Sequence, residues 1–327
     1  MKKTETIKEF TINPISLDDL LEKNIPPTSW LIEGIFPTSC INVLAGYTTS
    51  YKTWLVLDMA ICLATGSNWL DKFPVKQSNV LIIDEESGES MLKQRFLLMT
   101  EERGLNIKVL SYSSFKAGNS ESIVKYCLEN NINVVILDSL IRSHSSDENS
   151  SSEMSEVFKH FQAFKKSEIA LIFIHHNRKT SKDNYNPRES MRGSSEILGF
   201  VDSGISVSLI DGKRQLKIIP VKSRISRELD PFLVGLPEKG SPMFKFEYLG
   251  PCENKDTKSK PQIAAEHIVA LFQGNDNQEQ CQKEIIDAIR PAGAGESSIK
   301  EAINNLITDN ILQARQGPGN SQLYSLK

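Results

Sequence analysis

The sequence predicts an α/β fold in which a mostly parallel sheet is flanked by helices and followed by a small C-terminal unit. Three observations carry this. From about Cys40 to Val221, short β-branched runs alternate with longer amphipathic stretches, the pattern of strands joined by crossover helices. The segment from Glu253 to Pro261, ENKDTKSKP, has no apolar residue and ends in proline, as a linker does. The 327 residues also exceed what one core ordinarily serves, so a large domain and a smaller one are expected.

Taken in order, Ser16 followed three residues later by Asp19 caps a short helix over Leu17–Leu21, which Pro26-Pro27 stops. The expected strands of the main domain are Ile41–Ala45, Asn79–Ile83, Ile107–Leu110, Asn133–Leu137, Ala170–Ile174 and Gly204–Leu209. Helices are expected over Trp54–Ala64, over Glu89–Glu102 before Gly104, and over Met154–Phe164, where apolar side chains recur at helical spacing behind a Ser150/Glu153 capping box. The serine-rich run Ser143–Ser155 is expected to be a loop beside a site. Beyond the linker, helices near Gln262–Phe272, Gln278–Ile289 and Glu296–Asn310 precede strands Ile311–Gln316 and Gln322–Leu326 around Gly317-Pro318-Gly319, an order that predicts a winged helix. The expected organisation is therefore 1–35 as an N-terminal segment packing on the core or on a neighbouring subunit, 36–250 as the α/β domain, 251–261 as the linker and 262–327 as the winged-helix unit.

Composition narrows the class. With 39% hydrophobic and 24% charged residues and no run of eighteen apolar residues, collagen, wholesale disorder and a membrane-spanning protein are excluded. The start, MKKTETIKEF, lacks an apolar stretch, so a cytoplasmic location is expected. Five scattered cysteines without a C-x-x-C pair argue against a disulfide framework or a zinc cluster. A net charge of -3 means that any nucleic-acid partner must be held by a local basic strip.

The strongest chemical signal is Gly46-Tyr47-Thr48-Thr49-Ser50-Tyr51-Lys52-Thr53, which leaves an apolar strand and opens a helix. Backbone N–H groups and a helix N-terminus there can cradle phosphates, Lys52 can neutralise β/γ charge, and the Thr53 hydroxyl can ligate magnesium. Tyr51 stands where such loops carry their second glycine. Tyr47 and Tyr51 are candidates to meet a base. The run Asn133–Leu137 ends in Asp138, a carboxylate that would orient the same Mg2+, and Asn79–Ile83 ends in Asp84, Glu85 and Glu86, of which one would position the attacking water.

These ordered motifs resemble those of the RecA-like ATPases, and within them the RepA-type hexameric replicative helicases of plasmids and mobile elements, with their DnaB relatives, over about residues 28 to 235. The resemblance implies a RecA-like ATPase domain that uses ATP and Mg2+, with Glu86 rather than Glu85 as catalytic glutamate. It puts Asp138 at the metal aspartate, followed by a loop over Asp147-Glu148-Asn149-Ser150, and His175 rather than His176 as the residue touching the γ-phosphate. It further implies that Met191–Glu196, with Arg192 and Ser194, lies near a central channel, so that Arg178, Lys179, Lys182, Arg188, Arg192 and Ser194 would contact DNA. The segment from Arg178 to Arg192 carries a surplus of three positive charges, as a phosphate-tracking loop would. Lys222 and Arg224 take the place of a Lys-x-Arg pair that reaches the neighbouring subunit's γ-phosphate, which requires a homo-oligomer, a ring of six by resemblance, with nucleotide at its interfaces. The expected function is a DNA helicase moving on single-stranded DNA. The alternatives are an ATP-gated assembly or regulatory module and a RecA-like repair or recombination ATPase. From Pro251 to Lys327 there are eight basic residues against ten acids, and the presumed recognition helix offers one lysine, Lys300, which favours contact with a replication or mobile-element protein at least as much as duplex reading.

Overall fold

The computed structural model describes residues 12–25, 27, 29–177, 195–210, 212–225, 229–252, 260–292 and 295–327. The chain divides into two compact units, Met1–Cys252 and Glu253–Lys327. The first opens with α1 (Leu17–Glu22), where the Ser16 hydroxyl accepts the Asp19 N–H at 3.0 Å as an N-cap should. Every residue of α1 is exposed, Leu17, Leu20 and Leu21 included. A ribbon of β1 (Trp30–Ile32) and β2 (Phe36–Pro37) leads into the sheet.

Among the described residues nine strands form that sheet. Six are mutually parallel: β3 (Ile41–Gly46), β4 (Val80–Asp84), β5 (Ile107–Ser111), β6 (Val134–Asp138), β7 (Ala170–His176) and β8 (Ser203–Leu209). Between them run α2 (Lys52–Thr65), α3 (Gly88–Met99), α4 (Ser120–Glu129), α5 (Ser151–Lys166) and α6 (Ser195–Phe200). Antiparallel strands β9 (Gln215–Ser223), β10 (Phe232–Gly235) and β11 (Glu247–Pro251) extend it, in the order β11-β10-β9-β8-β3-β7-β6-β4-β5. Because β3, β4, β6 and β7 are covered on both faces, their sequences are continuous apolar runs and not alternations. On one face Leu44, Ile82, Ile136 and Ile174 join Leu55, Met59 and Leu63 of α2 in one core. On the other, Val43, Ile83, Leu137 and Phe173 meet Phe158, Phe161 and Phe164 of α5. Strands β3 and β4 follow one another in the chain but stand apart in the sheet, with β7 and β6 between them. Such a switch point opens a crevice at the carboxyl ends of the strands.

Strands β10 and β11 have no counterpart in the sequence reading, nor does α4, of which only Ser120, Val124 and Cys127 are buried. The serine-rich run is a loop only as far as Ser150. That residue caps α5 by accepting the Glu153 N–H, so Ser151–Ser155 are helical. The helix expected over Glu89–Glu102 stops at Met99 because Thr100 is extended (φ −152°, ψ 143°).

In the second unit α7 (Lys260–Gly274), α8 (Gln282–Ile289) and α9 (Glu296–Thr308) pack with β12 (Gln280–Cys281), β13 (Leu312–Gln316) and β14 (Gln322–Leu326), an antiparallel sheet of order β12-β14-β13. Ile268, Phe272, Ile285, Ile303 and Tyr324 are among its core. Pairing of Gln280 and Cys281 with β14 makes α8 shorter than the expected Gln278–Ile289. No helix among the described residues is long and apolar enough to cross a membrane.

One half-buried acid of the large unit is independent of the crevice chemistry. Burial pushes the Asp58 carboxyl, on α2, from 3.8 up to about 7. A raised folded value means that the native state holds its proton more tightly than the unfolded chain, so stability is greatest below about pH 4 and is lost as the pH rises toward 7. Asp58→Asn is expected to raise thermal stability at pH 8, by roughly 1 kcal/mol or more, and to change it little at pH 4. Thermal melts of both proteins at the two pH values test this.

Candidate nucleotide site

The crevice is built around the turn from β3 into α2. Gly46 ends β3 where a Cβ would collide with the Val207 carbonyl oxygen and lie 2.7 Å from Ser50 Oγ, so only glycine fits. The loop closes on itself: the Ser50 hydroxyl donates to the Tyr47 carbonyl at 2.7 Å, and Lys52 Nζ donates to the same oxygen at 2.6 Å. At the end of β7 the Asn177 N–H donates to the Gly46 carbonyl at 3.0 Å. Burial lowers the Lys52 ammonium to about 8, against the pull of Asp138 and Glu86, so a phosphate arriving beside it would hold its proton more firmly.

Tyr51, immediately before Lys52, has φ 60° and ψ 20°, the left-handed region in which a side chain costs roughly 1–2 kcal/mol. Its ring stacks 6.1 Å from Phe244 at 24°, and such a pair contributes about 0.5–1.5 kcal/mol, enough to offset most of that cost. Phe244 stacks in turn on Trp54, 4.1 Å away, and the Arg95 guanidinium lies 5.6 Å over the Trp54 ring.

Adjacent strands β4 and β6 bring Asp84 and Asp138 into register. Thr53 Oγ1 donates to Asp138 Oδ2 at 2.7 Å, while Asp138 Oδ1 is buried and has no hydrogen-bond partner. Burial pushes Asp138 up to about 6, with Glu86 and Asp84 adding and the Thr53 hydroxyl opposing. A hydroxyl and a carboxylate with a spare buried oxygen are a fitting donor pair for a hard divalent cation. Asp84 Oδ1 accepts the N–H groups of Glu86 at 2.9 Å and Ser87 at 2.5 Å, which fixes the turn that presents Glu86.

The three acids at the end of β4 have separate tasks. Glu85 points away from the cleft, where its carboxylate caps a loop by accepting from Ser113 Oγ at 2.6 Å and from the N–H groups of Ser113, Ser114 and Phe115. Glu86 lines the cleft. His176 Nε2 lies 3.4 Å from its Oε1, to which the Ser139 hydroxyl also donates, and these contacts hold the carboxyl down at about 2.

The histidines correct the sequence reading. Strand β7 continues through His176, and alternation along it puts His176 on the face shared with Ile174 and α2. His176 therefore lines the cleft. His175 is turned to the α5 face, where its Nδ1 lies 3.8 Å from Glu148 Oε1, an oxygen equally far from His144 Nε2. The cleft has a volume of about 460 Å³ and is lined by the loop from Thr48 to Trp54, Glu86, His176, Leu209 and Arg95. Arg95, which also donates to Ser87 Oγ at 2.9 Å, was not singled out by the sequence. A signal existed: a helix starting at Gly88 returns residue 95 to the face above residues 87 and 88 after two turns.

Lys222 and Arg224 are absent from this cleft. Strand β9 runs antiparallel to β8 and pairs Lys222 with Gly204, so both cations sit at the amino ends of the parallel strands, opposite the loop. Lys222 Nζ donates to the Leu198 and Gly199 carbonyls at the end of α6, and burial lowers its pKa. Arg224 donates to Gly199 O and to Asp202 Oδ1 at 3.3 Å, while Asp202 also binds Lys165 at 2.7 and 2.9 Å. The residues read as contacting DNA, Arg178, Lys179, Lys182, Arg188, Arg192 and Ser194, lie outside the described residues.

No curated protein matches the chain. The family model described as an AAA domain matches residues 6–182, which is more than half of the chain and spans the loop, Glu86, Asp138 and His176. The sheet order, the phosphate loop at the switch point and this match agree that the chain belongs to the AAA-domain family of P-loop ATPases.

Proposed function

We propose that the chain is an ATP-hydrolysing, ring-forming motor on single-stranded DNA, a replicative helicase of the RepA type. The observation that carries this reading is the division of charge. Lys52, Thr53, Asp138, Glu86 and His176 converge in one cleft, while the Lys222/Arg224 pair stands at the opposite end of the sheet, away from its own chain's cleft, which is consistent with our reading that it serves another subunit. The leucines of α1, which are exposed among the described residues, are consistent with assembly.

In this mechanism the loop N–H groups and Lys52 bind the β- and γ-phosphates. Thr53 and Asp138 would hold Mg2+, which supplies neutralisation of the developing phosphate charge. Glu86, ionised at neutral pH, accepts a hydrogen bond from the attacking water and aims it at the γ-phosphorus; a carboxylate with a pKa near 2 orients water better than it removes a proton. His176 holds Glu86 in place and would meet the γ-phosphoryl as it is transferred to water, and Arg95 adds positive charge at the same wall. Arg224 of a neighbour completes the charge stabilisation. The basic segment from Arg178 to Arg192 would carry the result to the DNA strand. The C-terminal unit is read as a winged helix that contacts protein, because Arg290, Lys300 and Arg315 each already carry a carboxylate partner.

A role for His176 predicts that His176→Ala lowers ATP turnover about a hundredfold with a small change in melting temperature. His175→Ala should do the reverse, costing stability through the Glu148 contact and sparing turnover. Steady-state rates and melts of the two variants decide between them. The ATP-gated switch is the second reading, favoured by the Glu86 carboxylate being held by both Ser139 and His176. Unwinding of a forked DNA duplex separates the two readings: strand separation that needs ATP supports the motor, and ATP-dependent assembly without separation would overturn it.

A further inference from the structure

We propose that Phe244, almost two hundred residues beyond the phosphate loop, is a positioning residue of the nucleotide site, holding the loop's last residue in the left-handed conformation that glycine ordinarily supplies. The inference rests on the assignment of Gly46–Thr53 to nucleotide binding. Tyr51 opens α2, and its carbonyl accepts the first helical hydrogen bond, from Leu55 N–H at 3.0 Å. Its φ of 60° therefore decides where the loop ends and how the N–H groups of Lys52 and Thr53 point. A tyrosine does not adopt this conformation freely, whereas a glycine does.

The structure supplies what glycine would not need. The Tyr51 ring is half-buried against Phe244. Phe244 is itself fixed on three sides: its ring stacks on Trp54 at 4.1 Å, its edge meets the buried Phe246 at 5.3 Å and 81°, and its N–H donates to the Leu98 carbonyl of α3 at 2.6 Å. Arg95, from the same helix, lies 5.6 Å over the Trp54 ring. Tyr51, Trp54 and Arg95 line the cleft, and Phe244 does not. Phe244 thus acts on the nucleotide through Tyr51, as a brace between the loop and α3. When the stack is removed, Tyr51 relaxes out of the left-handed region and the loop's N–H groups turn away from the phosphates. A glycine at 51 makes the loop indifferent to Phe244.

The test uses the full chain and four variants: Phe244→Ala, Phe244→Leu, Tyr51→Gly and the double variant Tyr51→Gly/Phe244→Ala. Affinity for a fluorescent ADP analogue, the KM and kcat for ATP, and the melting temperature are measured for each. Phe244→Ala is expected to weaken nucleotide affinity about fivefold, with KM rising by the same factor. Phe244→Leu, which keeps apolar volume without the stack, should do the same if the alanine variant folds poorly. Tyr51→Gly, which changes a residue of the site itself, sets its own reference affinity, against which the double variant is compared. In the double variant the affinity returns to that of Tyr51→Gly, while the melting temperature stays as low as in Phe244→Ala. A purely structural role would lower affinity equally with Tyr51 or glycine at 51, and that result, or unchanged affinity in both Phe244 variants, overturns the proposal. Failure of the parent protein to bind the analogue would overturn the nucleotide assignment itself, and the proposal with it.

Discussion

Lys52→Ala is expected to reduce ATP turnover by about a thousandfold, to the background of the assay. The reasoning is electrostatic. Lys52 is a buried cation whose proton is held only weakly while its partner is a backbone carbonyl, so the site is built for an anion that the resting chain does not itself provide. In the transition state negative charge spreads over the γ-phosphoryl oxygens, and a cation already desolvated beside them stabilises that charge more than it stabilises the ground state. The fold should survive, since Lys52 makes a single hydrogen bond within its own loop. A melt within a few degrees of the parent, with turnover lost, is the predicted pair of readings; retained turnover would remove the phosphate-loop assignment.

Arg224→Ala is expected to lower turnover on the order of a thousandfold while leaving nucleotide affinity within a few fold, because a finger from a neighbour acts on transition-state charge. Asp202 would lose one partner but keep Lys165 at 2.7 and 2.9 Å, so the buried carboxylate stays paired and the unit stays folded. The decisive form of the experiment mixes the two inactive variants. An Arg224→Ala subunit offers an intact loop, and a Lys52→Ala subunit offers an intact arginine. Where the two meet in the right order, a complete site is rebuilt, and turnover should rise above that of either variant alone. A mixture as inactive as its components would contradict action in trans.

The parts of the site that lie close in the chain were legible in the sequence. A strand, a loop of fixed length, Lys-Thr and a helix are contiguous, so the phosphate loop declares itself. Asp138 and Glu86 follow from apolar strands that end in acids, and resemblance separated Glu86 from Glu85. The structure gives the physical ground for that separation, since Glu85 is consumed in capping the loop at Ser113–Phe115. Parity was the weak point at β7. Which of two adjacent histidines faces α2 depends on which face of the sheet carries the phosphate-loop helix, a tertiary fact that a continuous apolar strand does not encode. Strands β10 and β11 escaped for another reason: they are four and five residues long, and β11 ends in Gly250 and Pro251, a pair that reads as a turn. Within β9, Pro220 is tolerated because it lies beside a register shift against β8, beyond the residues of β9 that β10 pairs. The Phe244 brace was beyond sequence reasoning altogether, because nothing local marks a phenylalanine near the end of a domain as the partner of a loop residue near its start.

ATP hydrolysis in this chain is proposed to be shared between subunits and driven by a DNA strand. Its most direct test is steady-state ATP hydrolysis by the purified protein with magnesium, with and without single-stranded DNA, alongside the protein's mass in solution. A ring-sized oligomer whose turnover rises when the strand is added is the predicted result. A monomer that hydrolyses ATP at one rate with or without DNA would contradict it.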